Sequence, residues 1–234
     1  MFRRMSRPIH MSIPMPASLK IDFVSDVSCP WCAVGLWSLQ LALAELRNEV
    51  VADIRFQPFE LNPKMGPGGQ DIGEHLTQKY GSTPEQQAQI REVIRQRGAE
   101  VGFTFNMAGR GRIYNTFDAH RLLHWAGELT PSQPGAQLAL KQALLKACHE
   151  HRQAMDEHPV LLAAVGEAGL DVARAAQVLA SAEFAQAVRE QQAFYAEAGI
   201  RSVPAVVVND RHLISGGQPV EAYVRALRQI AAEG

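Results

Sequence analysis

The sequence predicts an α/β protein whose small sheet is interrupted by a long helical insertion. Three observations predict it. Near the N-terminus two stretches of alternating hydropathy, residues 19–27 and 51–59, flank a Leu- and Ala-rich run at 30–47. Beyond a Gly- and Pro-rich loop, every segment to about residue 199 reads helical. The β-branched run Ala205-Val206-Val207-Val208 then restores strand chemistry close to the C-terminus.

In order, Ile21, Phe23 and Val27 alternate with Asp22, Val24 and Asp26, which suits a first strand. Pro30 fits the first position of the helix that follows, where its missing N–H costs nothing. The polar residues Ser38, Gln40, Glu45 and Arg47 share no face, so this helix is expected to be covered on several sides. Ile54 and Phe56 alternate against Asp53, Arg55 and Gln57 in a second strand. The loop LNPKMGPGGQDIG is too rich in Gly and Pro for regular structure. Thr83-Pro84-Glu85-Gln86 is a capping box with Pro at the first helical position. Asn115 is placed to cap a helix bearing Phe117, Leu122 and Leu123, with Asp118 favoured in its first turn by the helix dipole. Further helices are expected near 135–151, 159–168, 171–179 and 182–198. Asn209-Asp210 marks a tight turn into a strand over 212–214, and Pro219 opens a last amphipathic helix.

Removing the helical block leaves βαβ followed by ββα, the arrangement of the thioredoxin fold. The fold class is therefore α/β, a thioredoxin fold with a large inserted all-helical domain. Residues 19–61 and 191–234 form the thioredoxin domain, 62–190 the insertion, and 1–18 a flexible extension. An insertion of that length is too long for a loop and needs its own core.

The 47% hydrophobic content supports a buried core, and a formal net charge of -1 gives no footprint for nucleic acid or an anionic membrane. No apolar run reaches the ~18 residues that would span a bilayer. The first 18 residues carry three Arg, and Pro8, Pro14 and Pro16 break any apolar signal core; Met11 and Met15 are alternative starts. A cytoplasmic location is expected. Three cysteines, Cys29, Cys32 and Cys148, make no disulfide framework.

Cys29-Pro30-Trp31-Cys32 stands where a strand ends and a helix begins. A thiolate is the nucleophile of disulfide exchange, and a helix N-terminus offers roughly half a positive charge and unpaired N–H donors. Cys29 is expected to be the exposed attacking sulfur with a depressed pKa, and Cys32 the more buried resolving sulfur. The two-residue spacing lets Cys32 release a mixed disulfide intramolecularly. Pro30 fixes the helix start and Trp31 screens the pair with apolar surface. The competing reading is half a zinc site, but structural zinc wants four ligands and no second CxxC exists. His120 and His124 at i, i+4 are the remaining nitrogen pair, on a helix with a strong apolar stripe. No metal is expected. Val203-Pro204 precedes the returning strand; in thioredoxin-type folds that bond is cis, lies beside the reactive pair, and opens the Val203 backbone to a substrate strand.

DFVSDVSCPWC, FQPFELNP, NTFDAHRLLHWA, GIRSVPAVVVN and ISGGQP, in this order, make the chain resemble the DsbA-like oxidoreductases of FrnE type over about residues 19–232. The resemblance implies disulfide oxidoreductase or isomerase activity without a bound organic cofactor, with Cys29 as nucleophile, Cys32 as resolving thiol and Pro204 as the cis-proline. The expected partners are disulfide or dithiol substrates, protein or small molecule, with glutathione a candidate, acting on a monomer or homodimer. The related hydroxychromene-carboxylate isomerases and kappa-class glutathione transferases share the architecture. A glutathione-dependent isomerase or transferase is therefore the alternative, but those relatives typically carry Ser where Cys29 stands, so the intact CPWC favours redox exchange.

Thioredoxin-type sites often hold a buried acid below the cysteines. Asp22 is the first candidate and Asp26 the second, against the plainer reading of an Asp on an exposed strand face. Asn115, Thr116 and His120 either line a groove between domains or cap and pack a helix. Arg110 and Arg112 either attract an anionic substrate or belong to a solvated loop. Cys148, behind Leu144 and Leu145 on a helix, is expected to behave as a small buried hydrophobe rather than a regulatory thiol.

Overall fold

A computed structural model describes residues 15–106 and 108–233 of the chain. Residues 1–14, most of the extension expected over 1–18, lie outside the described residues. Strand β1 (Ala17–Ser25) already begins within that stretch, two residues earlier than its hydropathy pattern suggests.

β1 leads into helix α1 (Pro30–Glu45), and β2 (Val50–Pro58) returns parallel to β1 with Ile21 beside Ile54 and Phe23 beside Phe56. The helical block follows: α2 (Ile72–Tyr80), α3 (Pro84–Glu100), α4 (Phe117–Glu128), α5 (Ala136–His149), α6 (His158–Glu167), α7 (Val172–Leu179) and α8 (Ala185–Glu197). Strand β5 (Ala205–Val208) then pairs antiparallel with β1, Val206 facing Phe23, and turns into β6 (His212–Ser215) and α9 (Val220–Ala232). The sheet order is β2-β1-β5-β6. Asn209 and Asp210 both take positive φ in the β5–β6 loop, a conformation these two residue types tolerate.

β1 is buried on both faces, although its alternation suggests one exposed face. Ile21 and Phe23 pack with Leu36 and Leu39 of α1 and with Tyr223 and Leu227 of α9. On the other side, Val24 packs with Tyr195 of α8 and with Ala205. Asp22 and Asp26 are buried there as well. A central strand sandwiched between helices shows no solvent face, whatever its hydropathy period.

The inserted helices bury their own core, including Leu122, Trp125, Leu140, Leu144, Leu161 and Val178. The insertion docks on the edge strand through one amide. Gln137 of α5 accepts from Phe56 N at 2.9 Å and donates to Phe56 O at 3.1 Å and Leu123 O at 3.0 Å. The side chain thereby occupies backbone groups that an open sheet edge would leave unpaired. Residue 190, the expected end of the insertion, falls inside the continuous helix α8.

The insertion is also not wholly helical. Gln70–Asp71 (β3) and Arg112–Ile113 (β4) form a short antiparallel ribbon. Arg112 holds the carbonyls of Gly68 and Gly69, each at 2.9 Å, so its role is to fasten this loop. Gly69 has φ +65°, and a Cβ there would lie 2.0 Å from Ile113 O; only glycine lets the two segments approach. Thr83 and Gln86 form the expected reciprocal capping box at α3. Among the described residues no helix is long and apolar enough to cross a membrane.

The turn before α9 presses on the start of α1. A Cβ on Gly217 would lie 2.9 Å from the Trp31 carbonyl, closer than real contacts allow. Gly217→Ala is expected to lower the unfolding free energy by about 1–3 kcal/mol through overpacking. In Gly166→Ala the nearest atom is Val172 Cγ2 at 3.5 Å, an ordinary contact in a helix, so stability should hold or rise. Denaturant melts of both variants check the pair, and equal losses would contradict the packing described.

Candidate functional site

The site is assembled at the first turn of α1. Cys29 is the N-cap in extended conformation, with no side-chain capping bond of its own, and Pro30 occupies the first helical turn. The amide of Cys32 donates to Cys29 O at 3.0 Å, closing that turn. The Val203–Pro204 peptide is cis. Its Val203 carbonyl lies against the pair, accepting from the Cys29 thiol at 3.6 Å. A Cβ on Gly35, one turn into α1, would sit 3.0 Å from the Pro204 ring, so the helix and the β5 entry are in close contact. All three cysteines are free thiols.

The two sulfurs stand in different surroundings. Cys29, expected to be exposed, retains only 5% exposure because Val203 and the inserted helices wall it in, yet it lines a cavity. Cys32 is 0% exposed. A hydrogen bond from the Cys32 thiol, together with the backbone N–H groups of Cys32 and Trp31, holds the Cys29 pKa below the usual thiol value against burial and the Asp26 charge. Burial and the neighbouring Cys29 sulfur push Cys32 well above that value. The chemical consequence is that Cys29 ionises more readily than Cys32.

The cavity over Cys29 has a volume of about 750 Å³ and is bounded by Pro30, Trp31 and Val203 on one side. On the other side stand Ile72 and Leu76 of α2, Ile90 and Ile94 of α3, and Phe105. Arg91, Arg110 and Arg201 also reach it. The lining is mostly apolar with cations at several points, which suits an organic body bearing an anionic group.

Asp26, not Asp22, is the acid at the cysteine end of β1. Asp22 accepts from Gln57 at 2.6 Å and pairs with Lys20 at 3.3 Å, within the strand rather than at its end. Asp26 accepts from Ser28 N at 3.0 Å and Leu61 N at 2.7 Å, and His120 Nε2 stands 3.7 Å away. Burial opposes its charge, but His120 and the two N–H donors prevail and bring its pKa to about 2. His120 therefore serves Asp26, while its helix partner His124 turns to Gln191 at 3.3 Å and Glu128 at 3.7 Å. Asn115 accepts from Phe117 N at 2.8 Å at the start of α4, and Thr116 is buried beside it.

Arg110 lines the cavity and donates to the buried Cys148 sulfur at 3.4 Å. His149 is held neutral by burial, then by Arg110, and donates from Nε2 to Val27 O at 2.9 Å. Neither His149 nor Lys141 stood out in the reading of the sequence. The available signal was a lysine seven residues before Cys148 and four before Leu145, inside the apolar stripe of α5.

A family model described as a DSBA-like thioredoxin domain matches residues 20–228. The chain is similar to the crystal structure of a probable DsbA oxidoreductase from Streptomyces coelicolor, at 30% identity and a TM-score of 0.80, covering 92% of this chain and 91% of that one. It is similar in fold to the cytosolic disulfide reductase DsbM from Pseudomonas aeruginosa solved with GSH, at 16% identity, TM-score 0.61, and coverage of 90% and 98%. A 2-hydroxychromene-2-carboxylate isomerase also shares the fold, at 15% identity, TM-score 0.62, and coverage of 92% and 99%. Among curated proteins none matches the chain in sequence.

Because the Asp26 pKa falls from an ordinary 3.8 in the unfolded chain to about 2 in the fold, its contribution to stability is complete above pH 3.8 and is lost as pH drops through 2. Asp26→Ala leaves the N–H groups of Ser28 and Leu61 without their acceptor, which should cost about 1–3 kcal/mol at neutral pH. The gap between wild type and variant should narrow in denaturant melts taken toward pH 2. A gap independent of pH would contradict the assignment.

Proposed function

The chain belongs to the DsbA-like thioredoxin-domain family, and from that premise we propose that it is a thiol–disulfide oxidoreductase working through Cys29 and Cys32. The observation that carries the reading is the contrast within the pair. The sulfur that lines the cavity has its pKa lowered, and the sealed one has its pKa raised.

In the reducing direction the Cys29 thiolate attacks one sulfur of a substrate disulfide. That S–S bond breaks, the departing sulfur leaves with the electron pair and takes a proton from water, and a mixed disulfide remains on Cys29. Cys32 then loses its proton and attacks the Cys29 sulfur. The second substrate sulfur leaves as thiolate, and two electrons have passed from the pair to the substrate. The oxidising direction is the reverse. Val203, with its carbonyl on the Cys29 thiol, marks the edge along which a substrate backbone would lie. Pro204 holds that edge open, and Pro30 and Trp31 form the cavity wall next to the attacking sulfur.

The arginines around the apolar cavity support small anionic thiols and disulfides, glutathione among them, and the fold neighbour solved with GSH agrees with this choice. A cytoplasmic setting, in which such thiols are abundant, fits the same reading. Residues 62–190 act as the second wall of the substrate groove, with residues 19–61 and 191–234 as the catalytic domain. The glutathione-dependent isomerase or transferase alternative gives Cys32 no task.

Cys32→Ser should leave attack intact and abolish release, so mixed disulfides with oxidised glutathione or insulin accumulate on non-reducing gels while turnover falls to background. Cys29→Ser should lose both trapping and turnover. Equal turnover in the two variants would overturn the assigned roles.

A further inference from the structure

Lys141 is the least expected charge in the molecule. It sits on α5 with 0% exposure, and its ammonium has no hydrogen-bond partner among the described residues. Its Nζ stands 5.9 Å from the centroid of the Phe56 ring. Phe56 and Leu145, the residue one turn along α5 from Lys141, belong to the same packed core as Cys32. A lysine can usually carry its charged end to water, and this one does not. A residue of the same length without charge would fill the space without stranding a cation.

The groups facing it come from several elements. Cys32 and Cys29 lie at the start of α1, Asp26 at the end of β1, and Cys148 on α5 itself, and all four act on the Lys141 charge. His149 on α5 feels Lys141 as well as Arg110, and Tyr223 of α9 shares the core of Cys32 and feels its charge. Asp26 already has His120 and two N–H donors. Cys32 has less support, a backbone hydrogen bond from Asp26, although the proposed cycle requires its sulfur to become an anion inside the core.

We propose that Lys141 is a positioning residue for the resolving step, its buried ammonium being the countercharge under which Cys32 gives up its proton and attacks the Cys29 sulfur. The proton goes to solvent, the Cys29–Cys32 bond forms, the Cys29–substrate bond breaks, and the substrate sulfur leaves with the electron pair. Lys141 forms no bond and changes no oxidation state. Its influence on Cys32 is the foremost one favouring the thiolate, set against burial and the Cys29 charge. Burial, in turn, holds the Lys141 pKa below its ordinary value, and the facing sulfurs and Asp26 oppose that fall. The inserted helical unit thus contributes a working charge to the thioredoxin unit, through α5.

This inference rests on the redox reading of the site, and one experiment separates the two. The reduced full-length chain is mixed with oxidised glutathione and quenched in acid. Mass spectrometry follows the rise of the Cys29–glutathione mixed disulfide and its decay to the Cys29–Cys32 disulfide across a pH series. If wild type forms no mixed disulfide, the redox reading itself fails. In Lys141→Met the attack profile should move less than the resolution profile, because the Lys141 charge couples more weakly to Cys29 than to Cys32. Resolution at neutral pH should slow by about tenfold or more, its pH midpoint rising by about one unit or more, as expected when an opposite charge is removed from beside a thiol. Thermal stability should hold or rise. Lys141→Gln, polar but uncharged, is read alongside and should shift in the same direction, so the profile does not hang on one variant folding. Wild-type resolution in either folded variant, or attack and resolution slowing together in step with lost stability, would overturn the proposal.

Discussion

The first turn of α1 is where the two halves of the thioredoxin unit meet, and the meeting depends on a carbonyl set against a thiol. Cys29 ends the β1 connection, and Val203 ends the path back from the insertion. Their contact at 3.6 Å joins residues 174 positions apart in sequence. Around it the packing allows little movement: Gly35 approaches the Pro204 ring, and Gly217 approaches the Trp31 carbonyl. The same turn brings the backbone N–H groups of Trp31 and Cys32 to bear on the Cys29 sulfur. Geometry and electrostatics therefore share one origin, a helix N-terminus held against the start of β5.

Burial beneath that turn is managed group by group. Asp26 is stabilised by two N–H donors and by His120 from α4. His149 of α5 is kept neutral and donates a hydrogen bond from Nε2 to the Val27 carbonyl. Among the described residues Lys141 Nζ and His120 Nε2 are left without a hydrogen bond, but His120 stands 3.7 Å from the Asp26 carboxylate. Three of these four groups, His120, Lys141 and His149, belong to the helical block. The block thus supplies polar chemistry under the cysteines as well as the apolar wall over the cavity.

Much of the fold was legible because its signals are local. The Thr83–Gln86 box, Pro30 at the start of α1, the Asn209-Asp210 turn and the strand at 205–208 need only neighbouring residues to be read. Placing Cys29 beside Val203-Pro204 needed more: the order of elements, and a resemblance covering the whole chain. What escaped the sequence is what burial decides. Asp22 and Asp26 look alike along β1, and only tertiary hydrogen bonds separate their roles. Cys29 loses its expected exposure to walls that lie far away in sequence. The β3–β4 ribbon rests on two-residue strands and a glycine contact, too short for any hydropathy period. Lys141 was visible as a charge in an apolar stripe, but lysine commonly reaches water, so its spacing alone did not mark it.

The central claim is that one helix start shifts the acidities of two thiols in opposite directions. Carbon-13 labelling of the cysteine Cβ positions, with NMR titration of the reduced chain, tests it most directly because each sulfur reports its own ionisation. The account predicts that the Cys29 signal titrates below the free-thiol value of about 8.5. The Cys32 signal should stay in its thiol form well past that pH. Coincident titration of the two signals near the free-thiol value would contradict it.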